Sequence, residues 1–329
     1  MENVRCDLAV EAKELYTETQ GADTEIPGVT VETDEVGGYI HITRVHIQDE
    51  TGAQNLGKDI GTYITIEMPN RFYGQQKIYE QMCQTCSKEL KRLTDPILTG
   101  KDDCVLVVGL GNWNITADAL GPKVINSLMV TRHLKEYVPE EIDEGVRPVC
   151  ALTPGVLGIT GIETGEIVRG LTEKVRPKLV IAIDALCSRR MERINTTIQI
   201  SDTGITPGEG VGNKRKALRA DTLGVPVIAI GVPTVVDAAT IAGDTIDLIV
   251  DDLRETGQGN APLCRMLSAI DAEDKYTLIK DTIAPHFGNF IVAPKDVDTI
   301  IDDISRIIAN GINISVHDGI TLADVDRYV

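Results

Sequence analysis

From about residue 104 onward the apolar positions of the chain stop alternating and run in blocks. Cys104 to Leu110, Pro148 to Leu152, Lys178 to Ile183 and Val225 to Ile230 are short continuous apolar segments, and Thr196 to Ile200 reads as a further strand. Helical stretches lie between and after them, at Gly121 to Tyr137, Glu163 to Val175, Lys214 to Leu223 and from Thr234 to Ala242. Continuous apolar strands alternating with helices predict a parallel sheet covered on both faces. The first hundred residues follow another pattern. Val29 to Glu32, Tyr39 to Ile47 and Thr62 to Glu67 alternate apolar and polar residues, as half-solvated antiparallel strands do. Turn chemistry at Gly37-Gly38 and at 49–52 separates them, and a helix is expected from Gln75 to Leu93. The last 70 or so residues are mostly helical, with amphipathic runs near Ala261–Ile279 and Val297–Ile308. The expected fold is one α/β unit with a mostly parallel central sheet, helices on both faces and an antiparallel N-terminal elaboration. Its parts divide as 8–100, 101–255 and 256–329.

Composition narrows the function classes. Fifty acidic against 32 basic residues give a formal net charge of −18, which disfavours binding DNA or RNA through bulk phosphate neutralisation and disfavours a basic membrane-surface protein. No apolar run approaches the roughly 20 residues needed to span a bilayer. The polar start, Met1-Glu2-Asn3-Val4-Arg5-Cys6-Asp7, lacks the apolar core of a signal peptide. Seven cysteines without a disulfide-type spacing fit a reducing cytoplasm. Cys104 and Cys187 read as small core residues, and Cys83 and Cys86 share a helix with no second pair to complete a zinc set.

In open α/β sheets ligands sit beyond the carboxyl ends of the strands, and two aspartates map there. Asp118 follows the Gly109-Leu110-Gly111-Asn112 turn at the start of a helix, where an N-cap role is the plain alternative. Asp184 ends the most apolar strand, where one-sided desolvation raises a carboxyl pKa unless it is paired. Two such groups in one crevice can share a proton, one acting as base toward water and the other as acid toward a carbonyl. The Gly-x-Gly turn lacks the third glycine and the tight strand-to-helix geometry of a dinucleotide site. Asp202-Thr203-Gly204 matches the short signature of pepsin-like proteases but stands alone, and reads as a turn. The glycine-rich run through Gly208, Gly210, Gly212 and Asn213 could present backbone N–H groups to a substrate oxyanion, or be a mobile loop.

Taken together, Val4–Ala12, Gly109–Asn112 through Asp118–Pro122, Thr153–Gly158, Ile183–Leu186 and Asp202–Asn213 closely resemble the germination proteases of endospore-forming bacteria, over essentially the whole chain. The resemblance implies a cytoplasmic (forespore or spore-core) endopeptidase that starts degradation of small acid-soluble spore proteins. It also implies a self-processing zymogen, a homotetramer, and aspartic-type chemistry without a cofactor, with the essential aspartates falling on Asp118 and Asp184. Members of the family cut after an acidic residue and before an apolar residue followed by alanine. Asp7-Leu8-Ala9 fits that order, so residues 1–7 are expected to be a propeptide cut between Asp7 and Leu8, although Val4 stands where a further acidic residue is preferred. Arg189, Arg190, Arg193, Lys214 and Arg215 are candidates for recognising the acidic residue. The glycine–aspartate pattern is also similar to hydrogenase maturation endopeptidases, which implies a phosphorylase/hydrolase-like fold and, as the alternative, a metal-dependent peptidase. Those enzymes place a metal-binding histidine after the second acidic position, whereas here no histidine follows Asp184 until His286. That difference favours the carboxylate pair and no metal.

Overall fold

The computed structural model describes residues 7–21, 25–69, 75–208, 216–257, 262–270, 272–288 and 290–325. Its strands are β1 (Val29–Val36), β2 (Ile40–Ile47), β3 (Gly61–Glu67), β4 (Val105–Gly109), β5 (Val149–Leu152), β6 (Leu179–Ser188), β7 (Thr197–Ser201), β8 (Val227–Asp237) and β9 (Ile291–Val292). All belong to one sheet in the order β1-β2-β3-β7-β8-β6-β4-β5, with β9 added at the end of β8. The strands β8, β6, β4 and β5 are mutually parallel. They are the continuous apolar blocks, and their composition follows from burial on both faces: every residue of β4 is buried. The N-terminal strands extend the same sheet, because β3 pairs antiparallel with β7 and β7 antiparallel with β8. At the far edge, β1 is exposed along most of its length and carries Glu32, Asp34 and Glu35, charges that suit an unpaired edge.

Several boundaries differ from the expectation, each for a local reason. The expected helix over Gly121–Tyr137 is two pieces, Leu120–Asn126 and Arg132–Tyr137. Between them the buried Asn313 side chain takes the Met129 N–H at 3.0 Å, and Thr131 bonds the Arg147 carbonyl at 2.5 Å. The strand expected to end at Ile183 continues to Ser188, since β8 continues beside it to Asp237. Thr234 therefore lies in a strand, and the next helix, Ala238–Glu255, starts under an Asp237 cap. Within the described part of 214–223 only Ala220–Leu223 is helical, because Leu218 pairs back with Ile205. The helix at Ala9–Gln20 lies outside the elements expected from the residue pattern.

The two faces of the sheet are covered differently. On one face a single apolar cluster joins Ile64, Ile66, Ile181, Ile183, Ile198, Ile200 and their neighbours to the helices Gln76–Thr94 and Val297–Val316. Cys83 and Cys86 are buried in this layer, and burial pushes the Cys83 thiol up to about 12. The other face holds two separate clusters. One packs Leu106, Val108, Val180 and Ala182 under the helix Thr164–Val175. The second packs Val45, Ile47 and Tyr63 under the helices Ala9–Gln20 and Glu50–Leu56. Register places a row of residues on this face between the two clusters: Asp184, Gly231, Gln199, Thr65 and Thr43. Paired residues of adjacent strands share a face, so this non-apolar row crosses the sheet where its helical cover is split.

Candidate active site

Asp118 reaches the row through the turn that follows β4. Leu110 N–H donates to the Ile183 carbonyl at 2.8 Å, and Asn112 N–H donates to the Asp118 carbonyl at 2.9 Å. Gly111 makes this possible: its φ is +108°, and a Cβ there would stand 2.0 Å from the Asp118 carbonyl oxygen and 3.1 Å from Asp118 Oδ1. Thr116–Asp118 forms one 3₁₀ turn, and the Thr234 hydroxyl donates to the Ala117 carbonyl at 2.7 Å, tying the loop to β8. Thus the glycines seat an aspartate beside the strand ends. The N-cap position of the helix that follows, Leu120–Asn126, is Ala119 and not Asp118.

Asp184 lies within β6 and is 5% exposed. Its carboxyl accepts the Ala185 N–H at 2.9 Å and a backbone N–H from Gly208. Burial first, then the Asp118 charge and, less strongly, the Asp7 charge push its pKa up to about 7, against the opposing effect of the two N–H donors. Gly208 thus belongs to this neighbourhood, whereas Gly210, Gly212 and Asn213 lie outside the described residues. Next to Asp184 in the row, Gly231 has no side chain, and Leu186 fills the space: a Cβ at 231 would be 2.4 Å from Leu186 Cδ1.

The chain's own amino-terminal segment occupies the same place. Asp7 Oδ2 accepts the Cys187 N–H at 3.0 Å. The Asp7 carbonyl oxygen accepts Lys58 Nζ at 3.0 Å and Gln199 Nε2 at 3.1 Å, while Gln199 Oε1 accepts the Ala9 N–H at 2.6 Å. Leu8 and Ala9 are fully buried. One turn on, Glu11 accepts the Ser188 hydroxyl at 2.8 Å and the Arg189 N–H at 3.1 Å, and burial raises its pKa. The expected acid-recognising arginines are otherwise engaged: Arg190 pairs with Glu14 and Glu18, and Arg193 with Glu11, Glu14 and Glu67. The guanidinium of Arg189 lies 5.5 Å from the Tyr276 ring centre, and Lys214 and Arg215 fall outside the described residues. Asp202 closes a turn after β7 by accepting the Thr62 N–H at 2.8 Å. Cys187 is half-buried and contributes its backbone N–H, and Cys104 is also only half-buried, so neither is the core residue expected.

Lys58, Gln199 and the Cys187 N–H carry no motif that singles them out in the sequence. Gln199 has one weak signal, as a polar residue set between Ile198 and Ile200 in a buried strand. Its relation to Asp184, however, exists only through the pairing of β7, β8 and β6. Among the described residues, no group of three or more His, Cys, Asp or Glu is arranged to hold a metal ion, and no helix is long and apolar enough to cross a membrane.

A family profile described as germination protease matches residues 9–270 and 250–329. The chain is 51% identical to a germination protease of Clostridium tetani, over 99% of each chain. Identity is 49% with that of Clostridium acetobutylicum, over all of both chains. With that of Bacillus cereus it is 43%, over 99% of this chain and 97% of the relative. A solved NiFe-hydrogenase maturation protease HycI from Thermococcus kodakarensis matches 43% of this chain and 80% of its own, at 22% identity and a TM-score of 0.28.

Proposed function

The chain belongs to the germination protease family, and from that premise we propose that it is the endopeptidase that starts degradation of small acid-soluble spore proteins in the germinating spore. We take it to be made as a zymogen with residues 1–7 as propeptide, to cut itself between Asp7 and Leu8, and to act as a homotetramer in the spore core. The observation that carries this reading is a single place on the sheet where Asp118, the buried Asp184 and the Asp7–Leu8 segment come together.

The chemistry starts from the raised pKa of Asp184. Asp184 holds its proton up to about pH 7, first because it is buried and then because of the Asp118 charge beside it. Asp184 is therefore the acid and Asp118 the base. Asp118 takes a proton from water as its oxygen adds to the peptide carbonyl carbon, while Asp184 hydrogen-bonds the carbonyl oxygen. The C–N bond then breaks as the Asp184 proton passes to the leaving nitrogen. The N–H groups of Ala185 and Gly208 keep the Asp184 carboxyl oriented throughout. Gly210, Gly212 and Asn213 of the glycine-rich run are the candidates for a substrate or oxyanion loop.

The test is incubation of the purified chain with a purified small acid-soluble spore protein, with and without a chelator, read by intact mass. A mature chain beginning at Leu8, and substrate cut after acidic residues in both conditions, are the expected results. A mature start elsewhere, or activity abolished by the chelator, overturns the reading.

A further inference from the structure

We infer that Gln199 and Lys58 form the cradle in which the Asp7–Leu8 peptide bond is cut, Lys58 and the Gln199 amide nitrogen binding the carbonyl oxygen that becomes the oxyanion. The inference rests on the reading above that this bond is the processing site. Three observations support it. The Gln199 amide brackets the bond, donating to the Asp7 carbonyl at 3.1 Å and accepting from the Ala9 N–H at 2.6 Å. A primary amide used in this way copies the pairing that a neighbouring strand offers to residues i and i+2, and so holds the Leu8 region extended; Leu8 has φ −90° and ψ 131°. The Lys58 ammonium reaches the same carbonyl oxygen at 3.0 Å, from just beyond the helix Glu50–Leu56. Finally, Gln199 stands in register with Gly231 and Asp184, so the carbonyl is held from the row that carries the acid.

In the cut, the water oxygen bonds to the Asp7 carbonyl carbon and one water proton goes to Asp118. The carbonyl oxygen, hydrogen-bonded by Asp184, takes negative charge against Lys58 and Gln199 Nε2 as well. The bond to the Leu8 nitrogen then breaks, that nitrogen receiving the Asp184 proton, and the new Asp7 carboxyl keeps the water oxygen. Donors placed in advance at an oxyanion in a buried site are worth much more than in water. The Cys187 N–H on the Asp7 carboxylate, at 3.0 Å, adds the preference for an acidic residue before the cut. The substrate class is thus an extended acidic–apolar–alanine segment, held by its backbone on both sides of the bond.

The plain alternative is that Gln199 only caps the helix Ala9–Gln20, whose first N–H it accepts. Gln199→Glu separates the two roles, since it keeps an acceptor for Ala9 and removes the donor to Asp7. Lys58→Met leaves the cap untouched. The full-length chain and its Lys58→Met, Lys58→Arg, Gln199→Ala and Gln199→Glu variants are incubated, with the melting temperature and the rate of appearance of the Leu8 terminus followed for each. We expect Lys58→Met and Gln199→Glu to slow the cut by about 100-fold or more at unchanged melting temperature. With an added acidic–apolar–alanine peptide the loss appears in kcat rather than KM, and Lys58→Arg recovers part of the rate. Wild-type processing at Leu8 with Lys58→Met and Gln199→Glu both at full rate overturns the cradle alone, as does a slow cut confined to Gln199→Ala. A wild-type terminus elsewhere than Leu8 overturns the processing reading and the cradle with it.

Discussion

The two faces of the sheet use the same strands for opposite purposes. On one face Ile64, Ile200, Ile230 and Ile183 lie in register across β3, β7, β8 and β6, under two long helices that bury them in one continuous cluster. A single residue further along those strands, the opposite face carries Thr65, Gln199, Gly231 and Asp184, and its helical cover divides into two clusters. The difference shows how one sheet carries a continuous apolar core on one face and a polar row on the other. The period of two sends alternate residues to opposite faces, so polar groups can be concentrated on one without interrupting the core on the other. A carboxyl set in that row is desolvated by the sheet beneath it, and its pKa moves toward the working range without any special motif.

The comparison breaks most visibly at the carboxyl pair. Asp118→Asn and Asp184→Asn should each lower the cleavage rate by about 10²–10⁴-fold, measured on spore-protein substrate and on self-processing, while the variants still melt cooperatively. Rates near wild type in both would remove the pair from the chemistry.

Next comes the pH dependence of the Asp184 site. Its folded-state pKa of about 7 stands above the ordinary value of 3.8, so between those pH values the folded chain holds a proton that the unfolded chain has released. The contribution of this group to stability is therefore complete below about pH 4 and is lost as pH rises to about 7, a change of about 4 kcal/mol. Denaturant unfolding across that range should show the loss in the wild type and a flatter profile in Asp184→Asn. With Asp184 as the proposed acid, activity should fall as pH rises through about 7.

On the opposite face Ile308→Ala, in the fully buried layer, should cost about 2–5 kcal/mol by chemical denaturation and leave the specific activity of the folded fraction unchanged. The smallest effect is expected at Thr65, buried in the polar row with no hydrogen-bond partner for its hydroxyl among the described residues. Thr65→Val should raise stability by about 1 kcal/mol without altering cleavage, and a loss of cleavage would extend the working part of the row beyond Gln199.

Much of the fold is legible in the order of residues along the chain. The apolar blocks at β4, β5, β6 and β8 mark the parallel half, and alternation marks β1 to β3, since burial on two faces or one leaves a direct trace in residue order. Asp118 and Asp184 stand out because each comes after a continuous apolar block, Asp118 beyond the turn that closes β4 and Asp184 directly after Leu179–Ile183. The Gly111 turn is legible as a turn but not as the seat of Asp118, which depends on a contact seven residues further along. Gln199 and Lys58 are not legible at all. A glutamine between isoleucines and a lysine after a short helix carry no local sign of what they face.

The sequence by itself thus determined most of the strands and the longer helices, the change of sheet type and two aspartates that come after apolar blocks, because each depends on neighbours within a few positions. Only the tertiary structure decided that the amino-terminal Asp7–Ala9 segment lies against β7, some 190 residues along the chain, and that Lys58 meets it from a third element. Strand order and register bring these groups together, and they are set by the packing of the whole sheet, where every pairing depends on the ones beside it.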